Sequence, residues 1–319
     1  MAQNVITPRA ARRRMRFSRR HTPPQDGSQV FRNRGRTLPL NIIPRTAFIK
    51  KLSHKTQIIP SYLLTSALMP YENAKNYILS IKGEKMENLI RIGDIEKFSI
   101  VDFPSKIAAV VFMQGCPWRC PFCYNQSLQN PNGESDAKWA HLIHLLEHRK
   151  GILDAVVFSG GEPLMQNNLP QAIDAVKALG FEVGLHTGGY NPDALAKVLD
   201  KVVWVGFDIK APFDPEHYKR ATGIACDMAK IKQSLDMLIN SGVHFECRTT
   251  CDPRLLKIAD IYKIADELSA LGVKECYIQK YRPIPSDTTT QESDCGKFFN
   301  DAALLEYLHS KFAIFDVRK

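Results

Sequence analysis

From residue 107 the chain alternates between short apolar runs and amphipathic stretches, and this rhythm limits its fold more than any other feature. "IAAVVFMQ" (107–114), "DAVVFSGGEP" (154–163), "FEVGLHTGG" (181–189), "KVVWVGFDIK" (201–210), "VHFECRTT" (243–250) and "VKECYIQKYRP" (273–283) read as buried strands. "SDAKWAHLIHLLEHRK" with its Ser/Asp cap, "LPQAIDAVKALG" stopped by Gly180, "NPDALAKVLD", "DMAKIKQSLDMLINSG", "LLKIADIYKIADELSALG" and "DAALLEYLHSKF" read as helices. Six β/α pairs imply an α/β fold of parallel strands with right-handed crossovers, either a doubly wound sheet or a closed or partial barrel. In each case ligands sit at the C-terminal strand ends. The cysteine loop, "SGGEP", "HTGG", "DIK" and "RTT" all fall on that rim, which predicts a single active site.

The charge is uneven. The chain of 319 residues carries a net +10, but residues 1–85 hold 17 Lys+Arg against 3 Asp+Glu, leaving 26 against 30 in residues 86–319. An Arg-rich, acid-poor opening without a sustained period is disordered by composition. It reads as a basic arm on nucleic acid, an organelle-targeting leader, or sequence upstream of a true start at Met86. The last is favoured, because charge balance, periodicity and apolar density all change at Met86. The expected domains are therefore a disordered basic leader, 1–85, and a catalytic domain, 86–319. No run of about 18 apolar residues occurs, so no membrane span is expected.

"GCPWRCPFCYNQ" (115–126) sets Cys116, Cys120 and Cys123 at a C-x3-C-x2-C spacing. Clustered thiols without an export signal read as a metal site in a reducing cytoplasm. A structural zinc site would be closed by four ligands, and no second C-x2-C pair exists. Cys226, Cys247, Cys251, Cys276 and Cys295 read as ordinary thiols. Three thiolates on one loop leave one iron of a [4Fe–4S] cube free, and an open metal position implies chemistry on a ligand from outside.

With Phe122 before the last cysteine and "GGEP" (160–163) after the second strand, the chain resembles the radical S-adenosylmethionine (SAM) enzymes. That resemblance implies a partial (β/α)6 barrel, one [4Fe–4S] cluster on Cys116, Cys120 and Cys123, and SAM bound to the unique iron. Phe122, Gly160, Gly161, Glu162 and Pro163 fall in its cofactor-binding motifs. The glycines would allow close backbone approach, and Glu162 would accept bonds from the SAM ammonium. Asp208 and Lys210 alternate at a strand end and so share a side. Lys210 would pair with the SAM carboxylate or form a surface ion pair, and Arg248 is a second candidate for that carboxylate. His186 reads as a satisfied rim residue, and His141, His144 and His148 as a solvated helix face. No catalytic residue is expected beyond the cluster and SAM.

"FSIVDFPSKIAAVVFMQGCPWRCPFCYNQSLQ" is similar to the opening of glycyl-radical-enzyme activases. "GFEVGLHTGGYNPDAL", "VVWVGFDIKAPFD", "YKRATG" and "FECRTTCDP" resemble the anaerobic ribonucleoside-triphosphate reductase activating proteins within that group. The resemblance spans roughly residues 90–285. It implies a glycyl-radical enzyme as partner, that reductase by the finer resemblance, and a flavodoxin- or ferredoxin-type reductant. The departures are Ser105 in place of a frequent glycine, Tyr124 in place of a histidine, and His186 where some activases carry an acid beside a cation. The competing functions are a radical SAM enzyme acting on a small molecule, as in queuosine synthesis, and a non-catalytic iron–sulfur protein on nucleic acid.

Overall fold

The computed structural model describes residues 90–318, so the expectations for residues 1–85 and for a start at Met86 lie outside the described residues. One sheet runs in sequence order: β1 Ile92–Ser99, β2 Ala108–Met113, β3 Ala155–Gly160, β4 Glu182–Thr187, β5 Trp204–Asp208, β6 His244–Cys251, β7 Glu275–Lys280 and β8 Ile314–Arg318. β1 is antiparallel to β2, and each later pair is parallel. Among the described residues no pairing joins β8 to β1, so the sheet is a partial, unclosed barrel. The helices are α1 Trp139–Glu147, α2 Leu169–Ala178, α3 Pro192–Ala196, α4 Pro215–Thr222, α5 Met228–Ser241, α6 Ile258–Ala270 and α7 Ala302–Lys311. None is long and apolar enough to cross a membrane.

Alternation along the strands sorts the two faces. Val111, Phe158, Leu185 and Val205 turn outward into the main core with Leu142, Ile173, Leu235 and Leu268 of the surrounding helices. Burying each such side chain contributes about 2 kcal/mol relative to leaving it exposed. On the opposite face Phe103, Val110, Val157 and Trp204 form a separate cluster, with Phe103 and Trp204 rings 5.2 Å apart. Farther along the same face stand Ser159, His186, Asp208, Arg248, Gln279 and Arg318, all lining one cavity. The inner face is therefore apolar below and polar above.

Six strands, β2 to β7, match the expected ones, and the structure adds β1 and β8 at the sheet edges. β1 escapes a period-2 reading because its register with β2 shifts at two places. β8 is five residues long. A further helix, α4, precedes α5; Asp214 caps it by accepting from the Glu216 and His217 N–H groups, and Gly223 ends it in the left-handed conformation. The expected Ser/Asp cap of α1 is not used. The helix begins at Trp139, and Ser135 instead donates to the Gly93 carbonyl at 2.7 Å. Ser105 adopts φ +57 in a turn where Lys106 N–H closes onto the Phe103 carbonyl at 3.3 Å.

Candidate active site

The loop after β2 is shaped by its own backbone. Gly115 N–H donates to Leu128 O at 2.7 Å, Cys116 N–H to Gln129 O at 3.2 Å, and Cys123 N–H to Cys120 O at 3.1 Å. Gln114 lies beneath it and donates through Nε2 to the carbonyls of Ser127 and Asn130. Cys116, Cys120 and Cys123 all line a cavity of about 540 Å³ at the strand ends. Burial pushes the Cys116 thiol up to about 12 and that of Cys120 up to about 11.

The "GGEP" turn locks this loop from behind. Gly161 N–H donates to Met113 O at 2.9 Å and Glu162 N–H to Gly115 O at 2.8 Å. A Cβ on Gly161 would stand 2.0 Å from Gly115 O, and one on Gly160, at φ +105, 2.2 Å from Met113 N. The close approach these glycines allow is thus to the end of β2 and the cysteine loop, where a ligand was expected. Pro163 and Leu164 are buried in the short turn that follows. The Glu162 side chain is buried and already engaged: Oε1 accepts from Leu164 N–H at 3.0 Å and Thr187 Oγ1 at 2.7 Å, and Oε2 from Gly188 N–H at 2.9 Å. Burial raises its carboxyl against the pull of those donors. "HTGG" is thereby tied to "GGEP", and Gly188 makes room for Trp118, whose ring atoms would lie 2.4 Å from a Cβ there.

The charges gather opposite the cysteines. Lys210 Nζ lies 3.6 Å from Asp208 Oδ2, 5.2 Å from the Trp118 ring centre and 5.9 Å from that of Phe122. Burial opposes its charge, but Asp208 and the neighbouring thiols outweigh burial and raise it. Arg248 donates to Asp208 Oδ1 from Nε at 2.9 Å, with Nη2 at 2.8 Å, across Gly206, where a Cβ would stand 2.7 Å from the guanidinium. Burial opposes the Asp208 charge, yet Arg248 and Lys210 hold its carboxyl below the usual range. Burial and the Arg248 charge push His186 well down, to a neutral ring. Its Nε2 lies 2.9 Å from the Asp102 carbonyl and its Nδ1 3.2 Å from Ser159 Oγ.

Cys116, Cys120, Cys123, Phe122, Gly160, Gly161, Glu162, Asp208, Lys210 and Arg248 therefore line one cavity, and Pro163 is buried next to Glu162. His144 and His148 lie with ring centres 4.2 Å apart at a tilt of 43°, and neither lines that cavity. Sequence reasoning passed over Trp118, Lys280, Arg282 and Arg318. The last lines the cavity from β8, paired with buried Glu246 at 2.6 and 2.8 Å and stacked 4.0 Å from the Tyr277 ring. The partners of Trp118, Arg282 and Arg318 lie 70 or more positions away along the chain and leave no local motif, whereas Lys280 pairs with Glu292, 12 positions on.

The donor chemistry fits an iron–sulfur cluster. Thiolates are the usual ligands of such clusters, and each corner thiolate binds a different iron. Among the described residues no three His, Cys, Asp or Glu side chains meet around a single ion. Two cations, partly buried Lys210 and buried Arg248, line the same cavity as the thiols.

Known proteins give the same picture. The Radical SAM superfamily pattern matches residues 110–251. A protein of Methanocaldococcus jannaschii, provisionally named a glycyl-radical enzyme activating enzyme, is 26% identical over 254 residues, covering 70% of this chain and 98% of its own. The pyruvate formate-lyase-activating enzyme of Clostridium pasteurianum is 35% identical over 138 residues, 42% of this chain and 57% of that enzyme. In fold, SuiB of Streptococcus suis bound to its precursor peptide SuiA superposes with a TM-score of 0.52 at 13% identity, over 86% of this chain and 60% of SuiB. Over residues 110–251 the chain matches the Radical SAM superfamily, whose enzymes work with a [4Fe–4S] cluster and SAM, and along 70% of its length it is similar to the archaeal relative.

Proposed function

We propose that the chain is a glycyl-radical-enzyme activase, and that its partner is an anaerobic ribonucleoside-triphosphate reductase. Cys116, Cys120 and Cys123 would hold the cluster. Lys210, presented between Trp118 and Phe122, receives the SAM carboxylate, with Arg248 behind Asp208 as its support. Glu162 Oε2 accepts one internal hydrogen bond and keeps acceptor capacity for the SAM ammonium. Gly160, Gly161 and Pro163 hold that carboxylate against the cysteine loop. When bound, the cluster and SAM supply a hydrogen-abstracting 5′-deoxyadenosyl radical through one-electron cleavage. The chain's own tasks are orientation and exclusion of water, and they need no general acid or base. The working domain is residues 86–319, with the basic segment 1–85 outside it, and a flavodoxin- or ferredoxin-type protein supplies the electron.

The observation that carries this reading is the meeting of the three cysteines, "GGEP" and Lys210 on one cavity, in a chain that aligns with 98% of the archaeal relative. The test uses the full chain, reconstituted with iron and sulfide without oxygen, given SAM and dithionite, with and without the candidate reductase. The expected result is 5′-deoxyadenosine together with a glycyl-radical electron paramagnetic resonance signal on the reductase. Cleavage without that signal would favour a small-molecule substrate. A full cluster without cleavage would end the radical SAM assignment of these residues.

A further inference from the structure

Residues 86–319 are mildly acidic, 26 Lys+Arg against 30 Asp+Glu, yet three exposed cations gather behind the cysteine loop. Arg119 lies within the loop, and Lys219 and Arg220 form the last turn of α4. Arg119 N–H donates to Thr222 O at 2.7 Å, and Gly223 packs so closely that a Cβ would stand 2.5 Å from Arg119 O. The guanidinium groups are fixed in place: Arg119 donates to the Cys116 and Trp118 carbonyls at 2.9 and 2.7 Å, and Arg220 to Leu255 O at 3.0 Å. Lys219 has no ion-pair partner among the described residues. Beside them Gly223, Ile224 and Ala225 are all exposed, a small apolar strip next to a cationic rim. Asp227 is occupied at the N-terminus of α5, accepting from Ala229 N–H at 3.1 Å, and Glu216 stands in the opposite, first turn of α4.

We propose that this face docks a small acidic one-electron carrier protein, with Arg119, Lys219 and Arg220 steering it onto the Gly223–Ala225 strip. The proposal rests on the reading that Cys120 holds the cluster. From the strip, one hydrogen bond, Arg119 N–H to Thr222 O, leads into the residue bonded to Cys120. The carrier is oxidised by one electron and the cluster is reduced by one; no proton or bond moves at this surface. A small apolar centre beside fixed charge suits a transient redox encounter, for which complementarity raises the association rate more than the affinity.

The test uses the reconstituted full chain and flavodoxin hydroquinone as the probe, following bleaching of the cluster absorbance by stopped flow. Lys219→Glu/Arg220→Glu is expected to slow the second-order reduction about tenfold at low salt and to flatten its dependence on ionic strength. Lys219→Gln is expected to give a smaller slowing in the same direction. Affinity for oxidised flavodoxin, measured on the chain before cluster loading, is expected to fall in parallel. Dithionite reduces wild type and variants equally if the fold is intact. An unchanged flavodoxin rate and salt slope in the double variant, or a wild-type rate indifferent to salt, would overturn the proposal. Failure of dithionite to drive SAM cleavage in the wild type would instead count against the underlying enzyme assignment.

Discussion

Gly161 has no space for even one methyl group, because the atoms a Cβ would meet, Gly115 O at 2.0 Å and Gly115 C at 2.6 Å, are backbone. Backbone cannot rotate away, so Gly161→Ala must push the cysteine loop off the end of β3. The expected cost is about 1–3 kcal/mol, seen as a lower Tm, with less iron and sulfide retained per chain after reconstitution. At Ser105 the strain is already present. Phe103 to Lys106 forms a turn with Pro104 second and Ser105 third, a position that demands positive φ and favours glycine. Ser105→Gly is expected to raise stability by about 0.5 kcal/mol in urea denaturation, the relief of the left-handed strain being partly offset by a more flexible unfolded chain.

Among elements, β8 carries a buried ion pair to β6 in addition to its pairing with β7 and the burial of Phe315 in the core. Glu246 is fully buried on β6 and is matched by both nitrogens of the Arg318 fork. Arg318→Ala strands that carboxylate and is expected to cost about 3 kcal/mol of stability, most of it recovered when Glu246→Leu is added. Helix α4 reaches α6 in another way: His217 lies 2.8 Å from Asp214 Oδ1 and 3.3 Å from Asp260 Oδ1. The side-chain hydrogen bond from His217, with its backbone N–H, draws the Asp214 carboxyl down to about 2. A depressed carboxyl stabilises the fold above its unfolded value and loses that contribution as pH falls through the folded one. Asp214→Asn should therefore be less stable than wild type at pH 5, with the gap shrinking below pH 4 and gone near pH 2, followed by urea denaturation across that range. The elements themselves differed in how far they could be read. β2 and β3 are apolar runs rich in valine, and β4 to β7 follow them in a regular alternation with helix signals. β1 hides its alternation behind two register shifts, and β8 is short and held by a residue 72 positions away.

At the scale of the whole molecule, the half of the site near the cysteines was legible and the far half was not. "GCPWRCPFC", "GGEP" and "DIK" are local strings whose chemistry is stated by residue type and spacing. Trp118 against Gly188, Tyr124 Oη accepting from Arg282 N–H at 2.7 Å, and Arg318 against Glu246 depend on how distant strands come together. The domain boundary is testable at this scale as well: a chain beginning at Met86 is expected to unfold at the same temperature as the full chain and to bind the same amount of iron. One architectural feature reaches beyond stability. Among the described residues no strand pairing joins β8 to β1, so no backbone ladder fixes the inner chamber along that flank. A chamber of about 540 Å³ therefore limits the size of what reacts without limiting the size of what is held. On the proposed function, a single residue of the partner chain would enter the cavity while the rest of that chain stays outside in water.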